Sequence, residues 1–372
     1  MSNNSSDYEI LYLEAVTVAN TPGFNILLVL EAILSISSLI PNALLLYVLF
    51  CTSIFPLNLR LLLAHLSLNL IWYAAAVGVK ASSILSFLVD NQDASNLIAN
   101  AFECKLSELS NTIPLQNIVY TSLALCLERM YSTIFYKLYE TQHSKPYLAI
   151  IFIPLVWTTT LANQLTGLFG IDRTKQVSMC ESLLSMSYKS AMVTLTLNLC
   201  CEGMCVILVF VVYIWNNVKL RKMTINRAQQ SLGARFQISQ NVQLNTMMMP
   251  SMIVQSLCYL PNYIFLLFVI IGMNFSMPVR VTLVHCNYVW KLMYAFLHPL
   301  VAFMSKAKLC QYLKKHSSFV RFFNKAVIRR VKPGVTEPVG ENKPEEAAAH
   351  FEVLTQIWNA PMKQGKKKAV TK

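Results

Sequence analysis

Apolar residues in this chain are gathered into seven blocks, at about 26–50, 59–79, 108–130, 147–169, 190–215, 248–271 and 281–304. Each approaches or exceeds the ~20 residues that a helix needs to cross a bilayer. Backbone surrounded by lipid must satisfy its own N–H and C=O groups, so blocks of this length fold as helices. Charged residues make up 13% of the 372 and apolar or aromatic ones 55%, against the roughly 25% charged expected of a soluble domain. The second and third blocks hold His65, Asn69, Glu108 and Gln116, which suits helices turned toward a bundle interior rather than lipid. The expected fold is therefore all-α, a seven-transmembrane helix bundle over 26–304 behind an N-terminal tail of residues 1–25.

The Lys and Arg residues set the orientation. The first 25 residues hold none, while Asp7, Glu9 and Glu14 make that tail acidic. With the N-terminus outside and the C-terminus cytoplasmic, 24 Lys and Arg fall on the inner side and six on the outer. Glycosylation triplets at Asn3, Asn4 and Asn274 then lie outside as well. No basic n-region with a cleavage site precedes the first block, so that block is expected to act as its own uncleaved signal. The net charge of +13 belongs mostly to the inner loops and tail, facing an anionic leaflet, and gives no reason to expect nucleic acid as a partner.

Of ten cysteines, six fall inside blocks and Cys51 and Cys310 on the reducing inner side. Cys104 and Cys180 remain on the oxidising side, where a disulfide between them is favoured over two free thiols. From Cys104 to Arg129 is 25 residues, about 37 Å of helix, so the two sit at opposite faces of the membrane. Arg129 at that inner edge reads in two ways. It snorkels to the headgroups, or Glu128 holds it in a lock until a conformational change frees it.

A Glu128-Arg129 pair ending the third span, a cysteine 25 residues earlier and another in the next outer loop resemble a rhodopsin-like G-protein-coupled receptor. Asn42, Trp157, Cys258-Tyr259-Leu260-Pro261 and His298-Pro299 fit that resemblance in weaker form, with Tyr259 where such receptors usually carry Trp. The run Glu128-Arg129-Met130-Tyr131-Ser132-Thr133, followed by Tyr139-Glu140, is similar to the end of span three in the nematode serpentine chemoreceptors of the Sra superfamily. Arg235-Phe236-Gln237-Ile238-Ser239-Gln240-Asn241 resembles their lead into span six. The likeness covers about 25–315 and is greatest to class AB, ahead of classes alpha, beta and epsilon. It implies a chemosensory receptor in a sensory-neuron, ciliary membrane, turning a small-molecule or pheromone cue into activation of a heterotrimeric G protein. Glu128, Arg129, Tyr139, Glu140, Arg235, Gln237 and Asn241 become the expected coupling residues. No enzyme activity, metal or cofactor is expected.

Proline at 261 removes a backbone hydrogen bond in mid-span, so Pro261, and Pro299 in the last span, are candidate hinges, whereas Pro250 is expected to mark where span six begins. The segment NNVKLRKMTINRAQQSLGARFQISQN before it has five basic residues and no acid, and reads as a solvated inner loop or a G-protein docking surface. Buried charges mark the candidate ligand pocket, because each is costly at a helix centre unless compensated. Lys291 lies about 15 Å into span seven and Glu31 about 8–10 Å into span one. These depths suggest an ion pair bordering the cavity, with Glu202 and Tyr259 as further candidates. A polar network without a ligand role explains the same residues.

Other classes fit less well. A retinal-binding opsin places its lysine seven residues before the span-seven proline, whereas Lys291 is eight before Pro299, about 100° further round the helix. A zinc hydrolase needs clustered ligands, but His285 and His298 are thirteen residues apart, about 20 Å along one helix. A ligand-gated channel or transporter remains as the alternative, although no inverted repeat is visible. Beyond the spans, Leu309, Leu313, His316, Val320, Phe323 and Val327 share one helical face, which predicts an amphipathic interfacial helix over 305–332. Cys310 there is either palmitoylated or unmodified. Residues 333–372 have the composition of a disordered cytoplasmic tail.

Overall fold

The computed structural model describes residues 4–52, 55–90, 97–135, 138–139, 145–169, 171, 173–181, 187–225, 232–271 and 275–305, all within one compact unit, Met1–His316. The element order is α1 (Asn4–Ala19), α2 (Pro22–Cys51), α3 (Leu57–Val89), β1 (Ala99–Asn100), α4 (Ala101–Ile134), α5 (Tyr147–Phe169), β2 (Gln176–Val177), α6 (Tyr188–Ile225), α7 (Leu232–Ile271) and α8 (Met277–Ser305). Each of the seven helices from α2 to α8 contains one apolar block. The shortest, α5, has 23 residues, about 35 Å and enough for a hydrocarbon core of about 30 Å.

Four of these helices, α2, α3, α5 and α6, are long and apolar enough to cross a membrane by length and composition alone. The other three are more polar because their polar residues point inward. On α4 the buried set includes Asn111, Gln116, Asn117, Thr121, Ser122, Glu128 and Arg129. Exposed positions elsewhere are apolar, such as Ile26, Ile33, Ile36 and Ile40 on α2 and Ile150, Ile151 and Leu155 on α5. A polar interior under an apolar surface is the pattern lipid selects, since buried polar groups must find partners inside the bundle. The chain is an all-α membrane bundle.

Helix α4 runs through the middle, touching α3, α5, α6 and α7, while α2 packs on α3 and α8, and α7 on α6 and α8. Helices α2 and α3 approach closely at Gly78, where an added Cβ would lie 2.9 Å from the Ser35 Cβ. Small residues let backbones approach in lipid, where packing replaces the hydrophobic effect as the force between helices.

Three features differ from the sequence expectations. The N-terminal tail is not featureless: α1 is a 16-residue helix, and its Val18 packs with Phe24, Leu28, Ala81, Met179 and Val281. Helix α7 starts at Leu232, so Pro250 lies inside it and does not mark its beginning. Helices α6 and α7 also take up most of the segment read as an inner loop, because its Lys, Arg, Gln and Ala residues are good helix formers. Asn3, Glu140, Asn274, Cys310 and the segments 306–332 and 333–372 lie outside the described residues, as do the side chains of Asn4, Arg235 and Gln237.

Candidate functional site

One end of the bundle, outer by the charge asymmetry, is closed by a roof. Strands β1 and β2 pair antiparallel, Ala99 opposite Val177 and Asn100 opposite Gln176. The Asn100 side chain caps α4 by accepting from Phe102 N at 2.8 Å, which fixes where that helix begins. Cys104 and Cys180 are joined in a disulfide with Cα atoms 5.2 Å apart.

The disulfide carries the next residue, Glu181, into the bundle, where it is fully buried. Glu181 lies 2.6 Å from Lys80 Nζ and 2.9 Å from His285 Nε2, and it accepts from the Tyr288 hydroxyl at 2.8 Å. Lys80 also meets Glu108 at 2.8 Å, and His285 Nδ1 meets Glu31 at 2.8 Å. Burial opposes ionisation of Glu181, but Lys80 and then His285 outweigh it and hold its carboxyl below the usual carboxylate range. Three carboxylates and two basic groups thus form one network joining α2, α3, α4, α8 and the roof.

Glu31 therefore pairs with His285 rather than with Lys291. Depth and rotation explain the difference. His285 lies six residues, about 9 Å, nearer the outer end of α8 than Lys291, closer to the level of Glu31.

Lys291 instead faces a separate cavity beneath the roof, lined by residues of α4, α5, α6, α7 and α8 that include Lys105, Gln116, Gln164, Asn198, Tyr263, Asn287 and Tyr288. Its ammonium lies 5.4 Å from the centroid of the Tyr263 ring. Of the four expected pocket residues, only Lys291 lines this cavity. Glu202 is fully buried and accepts from Gln255 Nε2 at 2.7 Å, making it a contact between α6 and α7. Tyr259 packs edge-on against Tyr263 and Tyr294.

Below the cavity, buried polar contacts continue inward. Gln255 Oε1 accepts from Ser122 at 2.7 Å and from the Tyr294 hydroxyl at 3.0 Å, and Ser251 meets His298 Nδ1 at 2.6 Å. Asn42 donates to the Ala295 carbonyl at 2.7 Å, tying α2 to α8 just ahead of Pro299.

At the inner end of α4, Arg129 is 3% exposed and Glu128 fully buried. Arg129 donates through Nε and Nη2 to the two oxygens of Glu128, both at 2.5 Å, while its buried Nη1 has no partner among the described residues. The Tyr139 hydroxyl donates to Glu128 Oε1 at 2.5 Å. Burial, and then the Glu128 carboxylate, push the Tyr139 phenol up, which keeps it a donor. A guanidinium this enclosed is not snorkelling.

The neighbouring helices close on the same turn. Asn241 of α7 donates to the Ser132 carbonyl at 2.9 Å. From α6, Asn216 donates to Thr133 Oγ1 at 3.1 Å and Lys219 to the Thr133 carbonyl at 2.9 Å. Sequence reasoning missed Lys80, Glu108, Glu181 and His285. A signal existed: Cys104 and Glu108 are four residues apart on one face of α4, so a disulfide to Cys180 must bring Glu181 close to Glu108.

A buried polar core inside an apolar helical bundle, with a roofed cavity at one end and a shielded acid–base pair at the other, defines a multi-pass membrane protein. The chain belongs to the serpentine type 7TM GPCR receptor class ab chemoreceptor family, whose profile matches residues 14–320. A search of curated proteins returned no match.

Proposed function

We propose that this chemoreceptor family member converts binding of an external chemical cue, in the cavity under the Cys104–Cys180 roof, into activation of a heterotrimeric G protein at its inner face. One observation carries the reading: α4 contributes Lys105 and Gln116 to the cavity, Ser122 to the buried contacts below it and Arg129 to the inner lock. A cue that shifts α4 against α7 acts on all three at once. The coupling residues are Glu128, Arg129, Tyr139 and Asn241, with Glu140, Arg235 and Gln237 assigned by family resemblance.

The movable element is α7. Pro261 leaves the Leu257 carbonyl without its helical amide partner, which weakens α7 at that turn. Pro299 is the corresponding weak point of α8. Outward movement of the inner half of α7 would withdraw Asn241 from Ser132 and open the surface over Arg129. The location proposed is the ciliary membrane of a sensory neuron, with glycans at Asn3, Asn4 and Asn274 outside and a palmitoyl group at Cys310 within.

The test is a second-messenger screen of the full chain in heterologous cells against panels of small molecules, with Arg129→Ala as the uncoupled control. A cue that raises signal in the wild type and not in the variant supports the reading. A cue-evoked current that persists after G proteins are blocked contradicts it in favour of a channel.

A further inference from the structure

The cavity is unusual in its unmet polar capacity. Gln116 leaves both its amide nitrogen and oxygen without hydrogen-bond partners among the described residues, and Asn198 and Asn287 each leave Oδ1 so. All three side chains are at least 96% buried and line the same space as Lys291, which is 2% exposed. Buried polar groups are normally paired, and an orphan carries the full cost of its lost hydration. Three side chains, one each from α4, α6 and α8, thus leave four polar atoms unsatisfied around one cavity.

The charge of the lining is one-sided. It contains two lysines, Lys105 and Lys291, and no acid. Among the described residues no carboxylate lies within ion-pair reach of Lys291, whose one recorded contact is the face of the Tyr263 ring at 5.4 Å. The nearby acids face other groups: Glu181 and Glu108 meet Lys80, with Glu108 also attracting Lys105, Glu31 meets His285, and Glu202 accepts from Gln255 through Oε1 while its Oε2 has no hydrogen-bond partner among the described residues. A cation–π contact offsets only part of the cost of burying an ammonium. Leu115, Leu195, Leu266 and Val284 give the lining an apolar part, alongside the polar Thr112, Gln164 and Thr194.

We infer that this cavity binds a small organic carboxylate, with Lys291 as its counter-ion, the amides of Gln116, Asn198 and Asn287 holding polar substituents, and the leucine and valine walls enclosing an aliphatic body. The inference rests on the reading of the cavity as the cue site and goes beyond it by fixing the charge of the cue.

The test uses purified full-length receptor in detergent without G protein, so that binding is separated from coupling. The probes are straight-chain monocarboxylates from butyrate to decanoate and their hydroxylated forms, each paired with its primary amide, scored by the shift in melting temperature. Carboxylates should stabilise the receptor and amides should not. Lys291→Met should weaken carboxylate binding by about ten- to a hundredfold, the worth of a hydrogen bond to a charged group. Without probe, the same variant should melt no lower than wild type, since it removes a buried charge, and this identifies it as folded. Equal shifts from acids and amides, full retention of binding in Lys291→Met, or no shift from any carboxylate would overturn the inference. A neutral cue that signals equally through wild type and Lys291→Met would overturn it while sustaining the receptor reading. Carboxylate binding without any G-protein response would do the reverse.

Discussion

Arg129 and Tyr139 hold the same oxygen, Oε1 of Glu128, at 2.5 Å each, although ten residues separate them in sequence. The tyrosine joins the chain beyond α4 to the acid–base pair that ends it, so the lock is a triad. Tyr139→Phe removes the hydrogen bond to Glu128, worth about 1.5–3 kcal/mol, together with the longer one accepted from Arg129 Nη2 at 3.3 Å, and should shift the locked-to-open ratio by at least roughly ten- to a hundredfold. Basal second-messenger output at matched surface expression checks this. Output no different from wild type would leave Tyr139 with a packing role only.

Glu31 and His285 are in direct contact, whereas Glu31 and Lys291 share no partner among the described residues. In a double-mutant cycle on detergent-solubilised receptor, Glu31→Gln and His285→Gln should couple by about 0.5–3 kcal/mol, while Glu31→Gln and Lys291→Met should add to within about 0.5 kcal/mol. Strong coupling of the second pair would restore the ion pair suggested by helix depth.

Gly78 lies at a close approach of α2 and α3. Gly78→Val should destabilise the bundle by about 1–3 kcal/mol through overpacking against Ser35, read as reduced surface expression and melting temperature. Adding Ser35→Gly should recover part of the loss, because it removes the Cβ that lies 2.9 Å from the intruding group.

Removing the roof disulfide should cost about 2–5 kcal/mol. Cys104→Ser, Cys180→Ser and the double variant should lose similar amounts, since each breaks the same bond. Glu181→Gln should also lower the melting temperature with the disulfide intact, because Lys80 and His285 then lose the carboxylate that joins them. A roof that tolerates Glu181→Gln would mean that the disulfide alone holds it.

The helices were legible because lipid imposes a coarse rule, about 20 apolar residues, that composition satisfies openly. Cys104, Cys180 and Glu128-Arg129 were legible because charge and redox sides sort them before any coordinate is known. Side-chain pairing was not. One residue turns a helix face by about 100°, so two buried charges on neighbouring spans meet only if depth and rotation both agree. Glu31 satisfied depth with His285 rather than Lys291, and nothing in the sequence reports rotation. The inner ends of α6 and α7 were hidden for a different reason, since polarity marks where lipid ends and not where a helix stops. Helix α1 escaped because its sequence, NSSDYEILYLEAVTVA, shows no amphipathic face and is buried only by what it packs against.

The proposed role of the Glu128–Arg129 pair is to restrain a G-protein-activating state. Its most direct test is guanine-nucleotide exchange on heterotrimeric G protein in membranes carrying the full chain. Glu128→Gln should raise exchange above wild type in the absence of any cue, and Arg129→Ala should lower it to the level of membranes without receptor. Exchange that is the same in wild type, both variants and receptor-free membranes would contradict the account.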